Sequence, residues 1–180
     1  AAALEAAGGD AGVVDYLRTR LVRRLRDRGV PPDHVDAVGD QPTFGALSRR
    51  LDDLAALADT EGFERLLEVA ERCRNITQKS DAPEAPVRAD LLVEEAERAL
   101  FEVWSGLRES LPPAPAPLTR ADAVRVARAL GAPLHTFFEQ VFVNDPDAAL
   151  RTNRHALLRE IDAALLRFVD LCRIVRRAGS

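Results

Sequence analysis

The chain has 180 residues and a formal net charge of −4, and 47% of its residues are apolar while 30% are charged. This composition is typical of one globular domain and excludes an intrinsically disordered chain. No apolar run approaches the roughly 18 residues of a membrane-spanning helix, so we expect a soluble protein with no membrane partner. The first residues lack the basic start of a secretion signal, which favours the cytoplasm or an organelle of bacterial type.

The start of the chain is predicted to lie outside the main domain. Residues 1–12 are interpreted as a tail or as the end of a preceding domain, because Gly8 and Gly9 interrupt any helix there. The chain contains no Met, which favours a fragment or a processed chain. The predicted domain then covers residues 13–180.

Apolar residues recur at helical spacing through this domain, and no segment shows the alternating pattern of a strand. Glycines such as Gly29 and Gly131 separate the segments and are predicted to end helices. A proline-rich stretch at 112–118 is predicted to be a stiff linker inside the domain. The predicted helices cover 13–28, 34–38, 43–58, 63–79, 88–110, 119–130 and a run of about thirty residues after Asp147. We therefore predict an all-α bundle of about seven to eight helices.

The last predicted helix is the most informative one. Asp147 is its predicted N-cap and follows an acidic turn that contains a proline. On a helical wheel, Asp162 and Arg159 fall on the outer face. The opposite, apolar face consists of Leu150, Leu157, Ile161, Leu165, Phe168, Cys172 and Val175. Arg154 falls on that apolar face and Asn153 on its flank, and buried polar groups need partners, so both are predicted either to brace neighbouring segments or to contact a ligand.

Positive charge is concentrated in two parts of the sequence. Residues 13–28 carry six Arg and two Asp, and residues 149–180 carry seven Arg and three acidic residues. The intervening residues 29–148 have a net charge of −10. Both ends are therefore predicted to attract phosphate, whereas the middle would repel it.

The predicted helix at 63–79 carries hydrogen-bond donors along one face. Arg72, Asn75 and Lys79 follow one another at spacings of three and four residues, so they align on the helix surface. Such a ridge suits phosphates or base edges. An ordinary solvated face gives the same pattern, and the sequence alone leaves both interpretations open.

The sequence shows no group of residues with the spacing of a catalytic or metal-binding site. Its three histidines are scattered, with no ligands at the spacing of a metal site. There is no glycine-rich phosphate loop, no H-E-x-x-H motif and no G-x-S-x-G motif. Cys73 and Cys172 are predicted to be buried free thiols, and Trp104 is predicted to pack in the core. We therefore predict a binding module with no catalytic residue, metal or cofactor of its own.

Two segments resemble a known family. FFEQVFVNDPDAALRTNRHALL at 137–158 resembles the C-terminal end of bacterial glycyl-tRNA synthetase β subunits, where FFD-x-V-x-V, an acidic turn and ALR-x-NR-x-x-LL follow one another. ERCRNITQKS at 71–80 is similar to the family's KR-V-x-NI-x-K stretch. Glu139 stands where the family pattern has Asp. A weaker similarity at 13–38 extends the resemblance over most of the chain.

The resemblance implies an all-α, DALR-type anticodon-binding domain, a kind shared with arginyl-tRNA synthetases, that binds the anticodon arm of glycine tRNA. It also implies that ATP, magnesium and glycine activation belong to the α subunit, either separate in a heterotetramer or fused. The matching residues that would bind tRNA are Arg72, Asn75, Lys79, Arg151, Asn153 and Arg154. Two alternatives stay open: the anticodon-binding domain of another synthetase, such as arginyl, and a helical protein-interaction domain with no RNA partner.

Overall fold

The computed structural model of the chain describes residues 11–39, 43–60 and 62–175. Within these ranges the chain forms seven α-helices and two 3-10 turns, with no strand, which confirms the all-α prediction. The 3-10 turns are Ala89–Leu91 and Leu171–Arg173. The helices are α1 (Ala11–Asp27), α2 (Pro32–Val38), α3 (Phe44–Ala58), α4 (Phe63–Gln78), α5 (Glu95–Ser110), α6 (Arg120–Gln140) and α7 (Ala148–Leu166). The predicted tail at 1–12 lies almost entirely outside the described residues.

One apolar core joins helices α2 to α7, and Val22 and Leu25 of α1 pack against it. Apolar spacing predicts that Val13, Val14, Leu17, Leu21 and Leu25 face inward; Leu25 does so, and the side chains of the other four lie outside the described part. Trp104 is 2% exposed, so its predicted place in the core is confirmed. Cys73 and Cys172 are both free thiols, the first buried and the second half-buried.

Helix α4 is central, since it packs against α6, α7 and the 3-10 turn Leu171–Arg173. Arg74 pairs with Asp162 of α7, while Arg159, earlier in α7, bonds the carbonyl of Ala82 beyond the end of α4. These contacts run in opposite directions along the two helices, so α4 and α7 are antiparallel.

Helix α6 is parallel to α4. A Cβ atom at Gly131 would lie 3.5 Å from Cδ of Arg65, and Arg72 lies over the ring of Phe138. Moving forward along α6 from Gly131 to Phe138 corresponds to moving forward along α4 from Arg65 to Arg72, so the two helices run in the same direction. As a result α4 and α6 end on the same side of the bundle as α7 begins. We call this side, which includes the α6–α7 turn at 141–147, the turn end.

The prediction that Gly131 ends a helix is wrong, because α6 continues through Gly131 and Pro133 to Gln140. An internal proline destabilises a helix by about 3 kcal/mol. However, Leu134 and Phe137, which follow the proline and share one face of the helix, are both 0% exposed. Burying two such side chains contributes about 1.5–3 kcal/mol each, which outweighs the effect of the proline.

Helix α7 starts as predicted but ends earlier. Asp147 caps it by accepting hydrogen bonds from the backbone N–H groups of Ala149 and Leu150. The helix then ends at Leu166 instead of continuing for about thirty residues. The residues that follow, Phe168, Val169 and Leu171, are buried, and the backbone N–H of Asp170 donates to the carbonyl of Ala37 in α2 at 2.9 Å instead of continuing the helix. The packing of this segment against α2 and α4 therefore ends the helix.

The predicted helix at 88–110 also differs, because α5 begins only at Glu95 after a 3-10 turn and an extended stretch. A capping box fixes this start: the Glu94 side chain accepts from the backbone of Glu97, and the Glu97 side chain accepts from the backbone N–H of Glu94. Two glutamates in this arrangement satisfy backbone donors that would otherwise lack partners. The helix start is thereby set by a local motif.

The proline-rich stretch at 112–118 lies against the end of α7. The Arg167 guanidinium donates to the carbonyl of Ala116 at 2.9 Å, and the backbone N–H of Leu118 donates to the carbonyl of Arg167 at 3.1 Å. Leu118 is 1% exposed. These contacts tie the stretch to the core of the bundle.

Candidate nucleic-acid interface at the turn end

The turn between α6 and α7 combines anchored and exposed residues. Val141 and Val143 are 6% and 7% exposed, whereas Phe142 between them is 69% exposed. The Asp145 carboxylate accepts a hydrogen bond from the backbone N–H of Asp147 at 2.8 Å. The turn is therefore held by local bonds on one side and by two buried valines on the other.

Arg154 lies beneath this turn and is 3% exposed. Its guanidinium donates to the carboxylate of Glu97, to the carbonyl of Phe142 at 2.9 Å and to the carboxylate of Asp145 at 2.7 Å. Glu97 is 0% exposed. The backbone N–H of Asp147 and then the Arg154 guanidinium hold the pKa of the Asp145 carboxyl below its ordinary range. The inward orientation predicted for Arg154 is confirmed, and its donors serve the protein.

Asn153 makes a second internal connection. Its Oδ1 accepts from the backbone N–H of Arg88 at 2.7 Å, and its Nδ2 donates to the carbonyl of the same residue at 3.0 Å. The side chain is 3% exposed. Asn153 therefore fixes the segment that precedes α5, so of the two roles predicted for it and for Arg154 the structure displays the bracing one.

Among the buried polar residues that the sequence analysis did not find are Glu97, Asp162 and His155. Glu97 pairs with Arg154, and its position in the capping box was the available signal. Asp162 was predicted on the outer face, which is wrong: it is 8% exposed because Arg74 of α4 pairs with it at 2.8 Å. No local pattern could reveal that partner, since 88 residues separate the two.

The third of these residues is His155, which is 2% exposed. Its Nε2 lies 3.0 Å from Oδ1 of Asn144 in the turn, while its Nδ1 is buried without a hydrogen-bond partner. Burial lowers the pKa of His155, and the charges of Arg159 and Arg151 lower it further, against the opposing effect of Asp81. A neutral imidazole is therefore favoured here.

The predicted ridge on α4 has the opposite character. Asn75 and Lys79 are exposed, and Arg72 is half-buried. The Arg72 guanidinium carbon lies 4.2 Å from the centroid of the Phe138 ring. Among the hydrogen bonds and ion pairs of the described residues, none involves these three side chains. Their donors are therefore available to a ligand.

Arg151 has a character intermediate between the buried residues Asn153 and Arg154 and the exposed ridge on α4. It is half-buried, and its Nη1 donates to the carbonyl of Asp145 in the turn at 2.7 Å. Arg72 is also close to the turn, because Phe138 lies three residues before Val141, where the turn begins. The structure therefore brings Arg72 and Arg151 to the turn end, where α4 also terminates with Lys79.

The C-terminal stretch was predicted to attract phosphate, and most of its arginines in the described part of the chain are engaged in internal contacts. Arg154, Arg159 and Arg167 all bind carbonyl or carboxylate groups of the chain. Arg173 pairs with Asp170. Arg176 and Arg177 lie outside the described residues.

The cations of α1 remain at the surface. Its arginines at the described positions are exposed: Arg20, Arg23, Arg24, Arg26 and the following Arg28. Across the described ranges, no cluster of three or more His, Cys, Asp or Glu side chains is placed to hold a metal ion. Nor does that part of the chain contain a helix long and apolar enough to cross a membrane.

No family model matches the chain. Several curated proteins are similar to it over most of its length. A protein of Methylobacillus flagellatus is 34% identical over 165 residues, which is 90% of this chain, and one of Rhodospirillum centenum is 34% identical over 97% of the chain. Both are named glycine–tRNA ligase beta subunit, as is a protein of Dechloromonas aromatica with 34% identity over 92% of the chain. The chain is homologous to glycine–tRNA ligase beta subunits.

This relationship confirms the resemblance seen in the two sequence motifs. The chain spans about a quarter of the length of these beta subunits, 23% to 25%. The matched part lies in their C-terminal region. The motif residues of α4 and α7 can therefore be interpreted within a synthetase subunit.

Proposed function

We propose that this chain is the tRNA-binding part of a glycine–tRNA ligase beta subunit and binds the anticodon arm of glycine tRNA. The observation that carries the proposal is the ridge of Arg72, Asn75 and Lys79, whose donors have no partner among the described residues. The relatives are named as subunits of an enzyme that acts on a tRNA, which supplies the class of ligand. Glycine activation with ATP and magnesium would belong to the alpha subunit of the assembly.

The chemistry of the ridge suits an RNA hairpin. The Arg72 guanidinium lies over the Phe138 ring, and this contact would hold the cation in place while its N–H groups bind a phosphate. Lys79 would add a point charge at the end of α4, and Asn75 can both donate to and accept from a base edge. Unpaired bases of an RNA loop are read by such hydrogen bonds and by stacking.

The proposal is tested by measuring the affinity of Arg72→Ala and Lys79→Ala variants for glycine tRNA at several salt concentrations. Each lost phosphate contact should weaken binding and reduce the slope of log affinity against log salt by about 0.7–0.9. Arg173→Ala is the matched control, since it removes one exposed arginine that pairs with Asp170 beyond α7. If affinity and slope are unchanged in the two ridge variants, the ridge does not bind phosphate.

A competition between glycine and arginine tRNA transcripts tests the choice of tRNA. Glycine tRNA should displace labelled glycine tRNA at lower concentration than arginine tRNA does. A preference for arginine tRNA would contradict the proposed partner. Absence of any binding to bulk tRNA at low salt would contradict RNA binding altogether and would favour the protein-interaction alternative.

A further inference from the structure

Phe142 is the most exposed large apolar side chain in the described part of the protein, at 69%. Its neighbours Val141 and Val143 are buried, and Val141 has an extended backbone with φ −109° and ψ 124°. Side chains of an extended segment alternate in direction. The two buried valines therefore direct the Phe142 ring outward into solvent.

The backbone of Phe142 is also fixed from below. Its carbonyl accepts a hydrogen bond from Arg154 at 2.9 Å, and Arg154 is itself held by the fully buried Glu97 and by Asp145. A ring on a backbone held in this way loses little conformational freedom when a ligand binds to it, which favours affinity.

We propose that Phe142 is a stacking platform for an unpaired base of the RNA loop that the turn end binds. This inference rests on the proposed function, because Phe142 belongs to the turn end, where Arg72 and Arg151 also lie and where α4 ends before Lys79. Stacking of a base on an aromatic ring tolerates any base, since every base has a π face. The platform would therefore contribute affinity, and hydrogen-bonding residues nearby would provide selectivity.

The surroundings of Phe142 favour a base over a protein surface. The adjoining residues of the turn are polar, namely Asn144, Asp145 and Asp147, and a large apolar contact would have to take their side chains out of water, which costs free energy. A single base can cover one ring and leave these groups in water. Val93 is 49% exposed and lies four residues before Glu97, which pairs with Arg154 beneath the turn, so it serves as a control for a general apolar contact.

The test uses the 180-residue chain and the anticodon stem-loop of glycine tRNA as the probe. Phe142→Ala and Phe142→Leu should each raise the Kd by roughly 5- to 150-fold, the range for one stacked base. Phe142→Tyr should bind like the original chain, because it keeps an aromatic face. The salt slope should stay unchanged in all three variants, since no phosphate contact is lost, and their thermal melting should match the original because the ring is exposed.

A second experiment identifies the stacked nucleotide. Loop positions of the hairpin are replaced one at a time by an abasic nucleotide, and each hairpin is measured with the original chain and with Phe142→Ala. At one position the loss of the base should weaken binding to the original chain and have no further effect in the variant. Such non-additivity shows that the ring and the base interact directly.

Three results would overturn the stacking proposal. Phe142→Leu binding as tightly as the original chain would show that aromaticity is not used. Val93→Ala weakening binding as much as Phe142→Ala would indicate a general apolar contact. Additive losses at every loop position would show that no base covers the ring. If the original chain does not bind the stem-loop, the proposed function is contradicted as well. If the original chain binds and the Phe142 variants bind equally well, only the stacking proposal is contradicted.

Discussion

The two motif segments that carry the family resemblance use the same residue types in opposite ways. In α7, Arg154 and Asn153 are each 3% exposed and bond to other parts of the chain. In α4, Arg72, Asn75 and Lys79 reach the surface without such bonds. A motif match therefore does not distinguish residues that hold the fold together from residues whose side chains are free to contact a ligand.

The contrast also holds within α4 itself. Arg72 and Arg74 are two residues apart, yet Arg74 pairs with Asp162 and lies 3.4 Å from Asp170, while Arg72 stacks on Phe138. Residues two apart on a helix point about 200° away from each other. One arginine therefore enters the interface with α7 and the other faces α6 and solvent.

The largest effect is expected from Arg154→Ala. Removing one partner of a buried ion pair leaves the other charge uncompensated, which should lower the free energy of unfolding by about 3–5 kcal/mol. Urea denaturation measures this change. Arg88→Ala is the control, because its pair with Asp90 is exposed at 60% and 65% of the side chains and such surface pairs contribute little to stability. Equal stability losses in the two variants would contradict the structural role of Arg154.

Asn153→Ala should have an intermediate effect. The substitution removes two hydrogen bonds to the backbone of Arg88 and leaves a buried donor and acceptor unpaired, which should lower the free energy of unfolding by about 1–3 kcal/mol. Denaturant midpoints of the variant and the original chain provide the measurement. If Asn153→Ala instead melts normally and loses tRNA affinity, then Asn153 acts on the RNA and not on the fold.

His155 should make the fold sensitive to acid. Its pKa is lowered in the folded chain by burial, then by Arg159 and Arg151, so below its ordinary value of about 6.5 the unfolded chain binds the proton more readily. The free energy of unfolding should therefore fall as the pH drops from about 7 through the folded pKa. Thermal melting of His155→Gln between pH 5 and 7.5 should show a weaker pH dependence than the original chain. His135→Gln, at an exposed position of α6, should keep the original dependence; equal curves for both variants would contradict the assignment.

The smallest effect on stability is expected at the ridge. Lys79→Ala should change the free energy of unfolding by less than about 0.5 kcal/mol, and Arg72→Ala by about 0.5–1 kcal/mol through its contact with Phe138. Thermal melting checks both values. A loss comparable with that of Arg154→Ala would mean that the ridge supports the fold and that the contrast between the two motifs does not hold.

The sequence by itself determined the local features of the chain. Apolar spacing predicted the helix at 63–79, and α4 covers Phe63–Gln78 with Phe63, Leu66, Leu67 and Ala70 buried. The predicted helix start at residue 119 and the predicted cap at Asp147 agree with the starts of α6 and α7, because a cap needs only neighbours within three residues. The wheel also identified Arg154 as an inward-facing cation.

Only the tertiary structure decided where α6 and α7 end and which charges are buried. Helix α6 continues past Gly131 and Pro133 because Leu134 and Phe137 beyond them are buried. Helix α7 ends without Gly or Pro because the 3-10 turn that follows it packs against α2 and α4. The pairs Arg74–Asp162 and Arg154–Glu97 join residues 88 and 57 positions apart. Such partners are brought together by folding, and no pattern within one helix can reveal them.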